Sequence, residues 1–305
     1  MTREFDHFLA IDWSGARGER HRGIALAFAT KEGEAPTLVR PPEGGWSRVE
    51  VLALLRDELP PNTLVGVDLG ISLPFQDAGA FFPGWERTPR SAKKLWALID
   101  ELCADDPHLG AHGFLADRAA ARYFRHGKDH VGDLFLPADA ITREGRFRVA
   151  EIAQRAQGCR PVSNFNLVGA AQVGKSSLTG MRMLHALRGH LPVWPVDPIP
   201  ERRRMSGGSV LVEIYTALAA KEAAALRGEG RGARTKLLTY ADLNDALRAL
   251  GSAAIDEVGT IDDHSSDALL TAAWLRRAAR QEPRWSPRFL TAEIAWTEGW
   301  TFGAL

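Results

Sequence analysis

Short apolar runs alternate with turn-forming residues through the first seventy positions, and each run is too brief for a helix. Phe8–Ile11, Gly23–Ala29 and the weaker Pro36–Val39 predict three strands. Val49, Leu52, Leu55 and Leu59 then recur at helical spacing until Pro60-Pro61 stops the helix, and Leu64–Val67 predicts a fourth strand. The runs are nearly continuous in apolar residues, which predicts strands covered on both faces, as in an α/β sheet.

From Ile71 to about Ser209 the pattern is irregular and broken by prolines, with helices predicted at Ser91–Cys103, Gly113–Phe124 and Ser177–Leu187. This stretch reads as a mostly helical insertion or cap at about 76–205. Regular structure resumes with a strand over Ser209–Tyr215, carrying Glu213, and an Ala-rich helix over Ala217–Arg227. Thr239 and Asp242 form a capping-box-like pair opening a helix that ends at Gly251, and a last helix starts near Asp263. RGEGRGAR (227–234) and Arg202-Arg203-Arg204 read as exposed basic loops. The fold class expected is α/β over a single domain, 1–305, in the order β-β-β-α-β-α-β-α.

Charge narrows the function. Lys plus Arg number 38 and Asp plus Glu 38, so the formal net charge is zero. That balance excludes a protein holding a polyanion by overall charge and leaves room for a local basic groove. With 45% hydrophobic and 25% charged residues the composition is that of a globular protein with a sizeable core. Cys103 and Cys159 have no C-x-x-C companion, so neither a disulfide framework nor a zinc knuckle is expected, and a reducing cytoplasm is. MTREFDHF fits neither a signal peptide nor a membrane span.

Four acidic features end or interrupt apolar elements: Asp12 in LAIDWSG, Asp68 in LVGVDLG, Glu213 in VLVEIY, and the cluster Asp262-Asp263-His264-Ser-Ser-Asp267. A carboxylate in a buried strand is costly to desolvate unless something positive compensates it. Asp263 and Asp267, or His264 and Asp267, share a helix face. Converging hard oxygen donors suit Mg²⁺ or Mn²⁺. Taken singly, each acid is also explained as a turn former, a helix cap or an Arg partner.

The order of these elements, with Asp12 on the first strand and an acid on the fourth, resembles the RNase H-like superfamily, and DHSSDALLTAA is similar to the closing helix of Holliday-junction resolvases. FLAIDWSGA, VGVDLGISLPF, FNLVGAAQVGKSSLTGMRMLHALR, VLVEIYTA, DDHSSDALLTAA and TEGWTFG together resemble the predicted-nuclease family called domain of unknown function four-twenty-nine. The resemblance implies an RNase H-like mixed sheet and a metal-dependent nuclease acting on nucleic acid or nucleotide. Asp12 would be the central Mg²⁺ or Mn²⁺ ligand, with Asp68, Glu213 and Asp267, helped by Asp263 or His264. Two such ions ~4 Å apart activate water and stabilise the leaving oxygen of a phosphodiester. The resolvases carry Glu where this chain has Asp68.

Gly169-Ala-Ala-Gln-Val-Gly174-Lys175-Ser176 matches the phosphate-loop pattern letter for letter. The preceding Asn164–Val168 is short and half polar for the central strand such a loop follows, so NTP binding through Gly169, Gly174, Lys175 and Ser176 is the alternative function. A glycine turn feeding a helix still offers N–H groups to a nucleic-acid phosphate. A non-catalytic or actin-like member of the same fold is a third reading. Arg122, Arg125, His126, Lys128 and His130 read first as a solvated basic face. Trp13 reads as a core or rim aromatic, and Trp274, Trp296 and Trp300 are expected to pack the C-terminal segment onto the sheet.

Overall fold

A computed structural model describes residues 4–136, 143–169, 173–199, 208–230 and 236–305. The first strand, β1 (His7–Asp12), pairs antiparallel with β2 (Ala25–Thr30), which pairs antiparallel with the two-residue β3 (Thr37–Leu38). On its other side β1 runs parallel to β4 (Thr63–Asp68). Beyond β4 lie β5 (Val193–Trp194) at the edge and β6 (Val210–Glu213) inside, giving the order β3-β2-β1-β4-β6-β5. The sheet is therefore mixed: β1, β4, β6 and β5 run parallel to one another, and the β1–β2 and β2–β3 pairs are antiparallel.

Strand alternation divides the core. Phe8, Ala10, Leu64, Val210 and Val212 pack on one face of the sheet, and Leu9, Ile11, Val65, Val67 and Leu211 on the other. Both faces are covered, as the apolar runs predict. The first face carries α5 (Thr216–Leu226), α6 (Tyr240–Ala249) and α7 (Asp263–Ala278), and α7 lies across β1 and β2. The second carries α1 (Arg48–Ala53), α2 (Ala92–Leu102) and α4 (Val173–Ala186), whereas α3 (Val149–Ala156), between α2 and α4 in the chain, buries Ala150 and Ala153 in the core of the first face. Among the described residues no helix is long and apolar enough to cross a membrane. Cys103 and Cys159 are buried, free thiols.

Local signals hold where they are strong. Thr239 accepts a hydrogen bond from the Asp242 amide at 3.1 Å, starting α6, and Gly251 follows its end with φ of 76°. Three expectations need correction. The helix expected over Gly113–Phe124 is two short turns, His112–Ala116 and Arg118–Ala121, because Asp117 turns extended and caps the second through the Ala119 and Ala120 amides. The proline-rich insertion also contributes a strand, β5. Trp274 and Trp300 are buried, but Trp296 is 53% exposed and packs nothing onto the sheet. Arg202, Arg203 and Arg204 and the end of the 227–234 loop lie outside the described residues.

Candidate functional site

The register aligns Asp12 with Asp68 across two parallel strands that end together. Neighbouring strands lie ~4.8 Å apart, so the two carboxylates leave the same face of the sheet side by side. Helix α7 crosses that face and brings its first turn over them. Asp262 is the N-cap, its Oδ1 accepting from the Ser265 amide at 3.0 Å. That capping frees Asp263, His264 and Asp267 to face inward. His264 Nδ1 meets Asp12 Oδ2 at 2.8 Å, Thr216 Oγ1 donates to Asp267 Oδ2 at 3.2 Å, and Lys236 pairs with Asp263. These residues line a cleft of about 570 Å³ at the carboxyl ends of the strands, where open α/β sheets bind ligands.

The cleft is only partly compensated, by Lys236 on Asp263 and His264 on Asp12. Burial raises the Asp12 carboxyl above its ordinary value, against the lowering effect of His264. Asp68 is raised well above it, first by burial and then by the charges of Asp12, Asp267 and Glu213. Asp267 is pushed up to about 7, again by burial first and then by Asp12 and Asp263. His264 is raised by its hydrogen bond to Asp12. No hydrogen bond contributes to the shift of Asp68, and Asp263 Oδ1 is buried with no partner.

Glu213 lines the same cleft, and its charge is among those acting on Asp68, but it differs from the other three in how it is held. Its register partner on β4 is Val67, so strand alternation turns its side chain to the opposite face from Asp68. There both oxygens are taken: Oε2 accepts from Arg148 Nη1 at 2.8 Å and from the Ile71 amide at 2.8 Å, and Oε1 from Arg148 Nη2 at 2.5 Å and from Thr301. The fully buried Arg148 also pairs with Glu151. Nothing in the sequence around Arg148 marks it as the partner.

The phosphate-loop segment lacks the context of a nucleotide site. Asn164–Val168 joins the six-stranded sheet nowhere; only an isolated bridge links Asn166 to Arg125. Gly174 already lies inside α4, where a Cβ would come 2.5 Å from the Asn164 carbonyl oxygen. Gly169 precedes residues outside the description. Ser176 and Val173 nevertheless line the carboxylate cleft together with Asp263 and Asp267, so the segment walls the same site. Trp13 is buried, its indole N–H donating to Thr179 Oγ1 at 3.1 Å. Arg122 is paired with Asp133 at the surface, and its basic neighbours are not part of the cleft lining.

The donors suit a hard divalent cation in kind: carboxylate oxygens, several without hydrogen-bond partners, whose charges repel one another. Their disposition is not closed around an ion, because among the described residues no group of three or more His, Cys, Asp or Glu side chains is placed to hold a metal. Lys236 and Thr216, which the sequence pattern did not single out, supply the positive and polar contacts present. No family model, no curated protein and no solved structure matches the chain.

Proposed function

We propose that the cleft binds a divalent cation on Asp12, Asp68 and Asp267 and hydrolyses phosphodiester bonds of nucleic acid or nucleotide, in a fold of the RNase H-like kind. One observation carries the reading: Asp12 and Asp68 end adjacent parallel strands in register and share one cleft with Asp267 from the first turns of α7, and all three carboxyls hold their protons above the ordinary range. Uncompensated buried carboxylates cost free energy unless a cation joins them, and perturbed titration in a cleft is the pattern of a functional site. The order β3-β2-β1-β4-β6, with the first three strands antiparallel and the rest parallel, supports the fold reading, β5 being an addition at the edge.

Mg²⁺ or Mn²⁺ would supply charge neutralisation and a more acidic bound water. The chain's own groups do the remainder. Asp12 is oriented by His264, and Asp267 by Thr216. Lys236 offers an ammonium beside the site that suits a substrate phosphate as well as Asp263. Glu213, on the wall of the cleft, has both oxygens engaged by Arg148, Ile71 and Thr301, so its assigned role is to hold the carboxyl end of β6.

The test is cleavage of single-stranded, duplex and branched DNA and RNA by purified protein with Mn²⁺. Activity is expected in the wild type and a loss of at least 100-fold in Asp12→Asn. Equal cleavage by that variant would sink the proposal.

A further inference from the structure

Beside the carboxylate cleft, and sharing Gly23 and His264 with it, lies a second cavity of about 600 Å³. Its walls differ in character. Ile24, Leu26, Leu38, Val39, Pro42 and Trp46 make it chiefly apolar, and Arg22 and Asp262 are its charged lining residues. Leu38 is 41% exposed on the edge strand, an apolar side chain left open beside a polar site. The indole Nε1 of Trp46, a residue itself more than nine-tenths buried, has no hydrogen-bond partner.

We infer that this cavity is a nucleobase subsite: it receives the base next to the phosphodiester held at Asp12, and the substrate is therefore a single strand or an unpaired end. The inference rests on the phosphodiester reading of the cleft.

Continuity sets the occupant. A group leaving the cleft past His264 enters a cavity with chiefly apolar walls that also include Arg22 and Asp262, which suits a flat base with polar edges attached to a sugar-phosphate. An added peptide strand suits it poorly. The edge strand β3 is only two residues long and is followed by Pro41-Pro42, which stops β-addition after one or two pairs. A paired duplex is disfavoured as well, because its bases are stacked and cannot turn into a side cavity without unpairing. Stacking and burial of one base are worth ~1–3 kcal/mol, about a 5- to 150-fold change in affinity.

The experiment is calorimetric binding of short oligonucleotides to full-length protein in Ca²⁺. The probes are a six-nucleotide DNA strand, its RNA counterpart, the DNA duplex, and a base-free oligomer of the same phosphate number. Wild type is expected to bind the single strands at least fivefold more tightly than the base-free oligomer. Val39→Trp, which fills the cavity, should bring that ratio near one. Leu38→Glu, at an exposed position that cannot unfold the core, should lower it as well. Equal affinity for base-bearing and base-free probes, a ratio unchanged in both variants, or equal binding of the duplex would each overturn the subsite. Cleavage with Mn²⁺ is scored separately. A base preference without cleavage would overturn the nuclease reading and leave the subsite, and cleavage without base preference would do the reverse.

Discussion

His264 Nδ1 lies 2.8 Å from Asp12 Oδ2, joining the first turn of α7 to the end of β1 across 252 positions of sequence. The contact closes the cleft on one side and orients the carboxylate that ends the central strand. It also sets the imidazole's affinity for its proton.

The His264 proton is therefore retained to a pH above its ordinary value, chiefly through the hydrogen bond to Asp12. Since the folded value is raised, the pair's contribution is complete at low pH and fades as pH rises through it. Titration of the His264 ring followed by NMR should show the raised value in wild type. Asp12→Asn should return it toward the ordinary range. An unmoved titration would mean that the two side chains do not meet in solution.

Asp267 gives a stability prediction of the same sense, in a different pH window. The fold holds its proton up to about 7, while the unfolded chain releases it near the ordinary carboxylate value of 3.8. Between those limits the native state binds more protons, so stability falls as pH rises and stays lower above about 7. At pH 8 without divalent cation, Asp267→Asn should be more stable than wild type by ~1–2 kcal/mol, and at pH 4 the two should coincide. Adding Mn²⁺ should raise the wild-type melting temperature at pH 8 and leave that of Asp267→Asn nearly unchanged. A destabilised Asn variant at pH 8 would contradict the charge repulsion.

Glu213 should behave in the contrary way. Its carboxylate is the counter-charge of a fully buried guanidinium, and removing one partner of such a pair costs ~3–5 kcal/mol. Glu213→Gln should lower stability by about 3 kcal/mol in urea unfolding, where Asp12→Asn and Asp267→Asn do not. A Glu213→Gln protein of wild-type stability would mean that the pair with Arg148 does not hold the fold.

These contrasts show which parts of the site were legible in the chain. Asp12 and Asp68 could be read because each ends a strand whose apolar run is plain, and both runs begin the same number of residues before the acid, so parallel pairing aligns them. Glu213 presents the same local pattern, but β6 pairs one residue out of phase with Asp68, and a shift of one residue reverses the face. Register between strands nearly 150 residues apart leaves no mark in a single sequence. Strand β5 was hidden for another reason: Val193-Trp194 is two residues between Pro192 and Pro195, too short for any periodicity. Helix α3 was missed because its buried face carries Glu151 and Gln154, which a hydrophobic pattern reads as solvent-facing.

His21 offers a prediction away from the cleft. Burial first, and then the charge of Arg48, push its imidazole down to about 4. The unfolded chain takes up a proton below about 6.5 that the fold refuses, so stability drops as pH falls from about 6.5 to about 4. The slope contributed should approach ~1.4 kcal/mol per pH unit, and His21→Phe should remove it from the pH dependence of urea unfolding. An identical slope in the variant would place the responsible proton elsewhere.

The loop after Asp12 tests how the two halves of the cleft are held together. A Cβ on Gly15 would stand 2.3 Å from the backbone of Lys175 and Ser176, so the loop touches the first turn of α4 with no room for a methyl group. Arg48, buried beneath, donates to the carbonyls of Ser14, Ala16 and His108 and holds the loop in that place. Gly15→Ala must push α4 outward, a strain of ~1–3 kcal/mol, and should also weaken substrate binding, because Ser176 and Val173 wall the cleft. Gly18 is the control: it has φ of 106° and open space around it, so an alanine there meets only backbone strain. Gly15→Ala is expected to raise KM for a cleaved oligonucleotide while Gly18→Ala leaves KM unchanged. If both substitutions lower stability equally and neither alters KM, the loss at Gly15 comes from the loop alone and the contact with α4 is not what shapes the cleft.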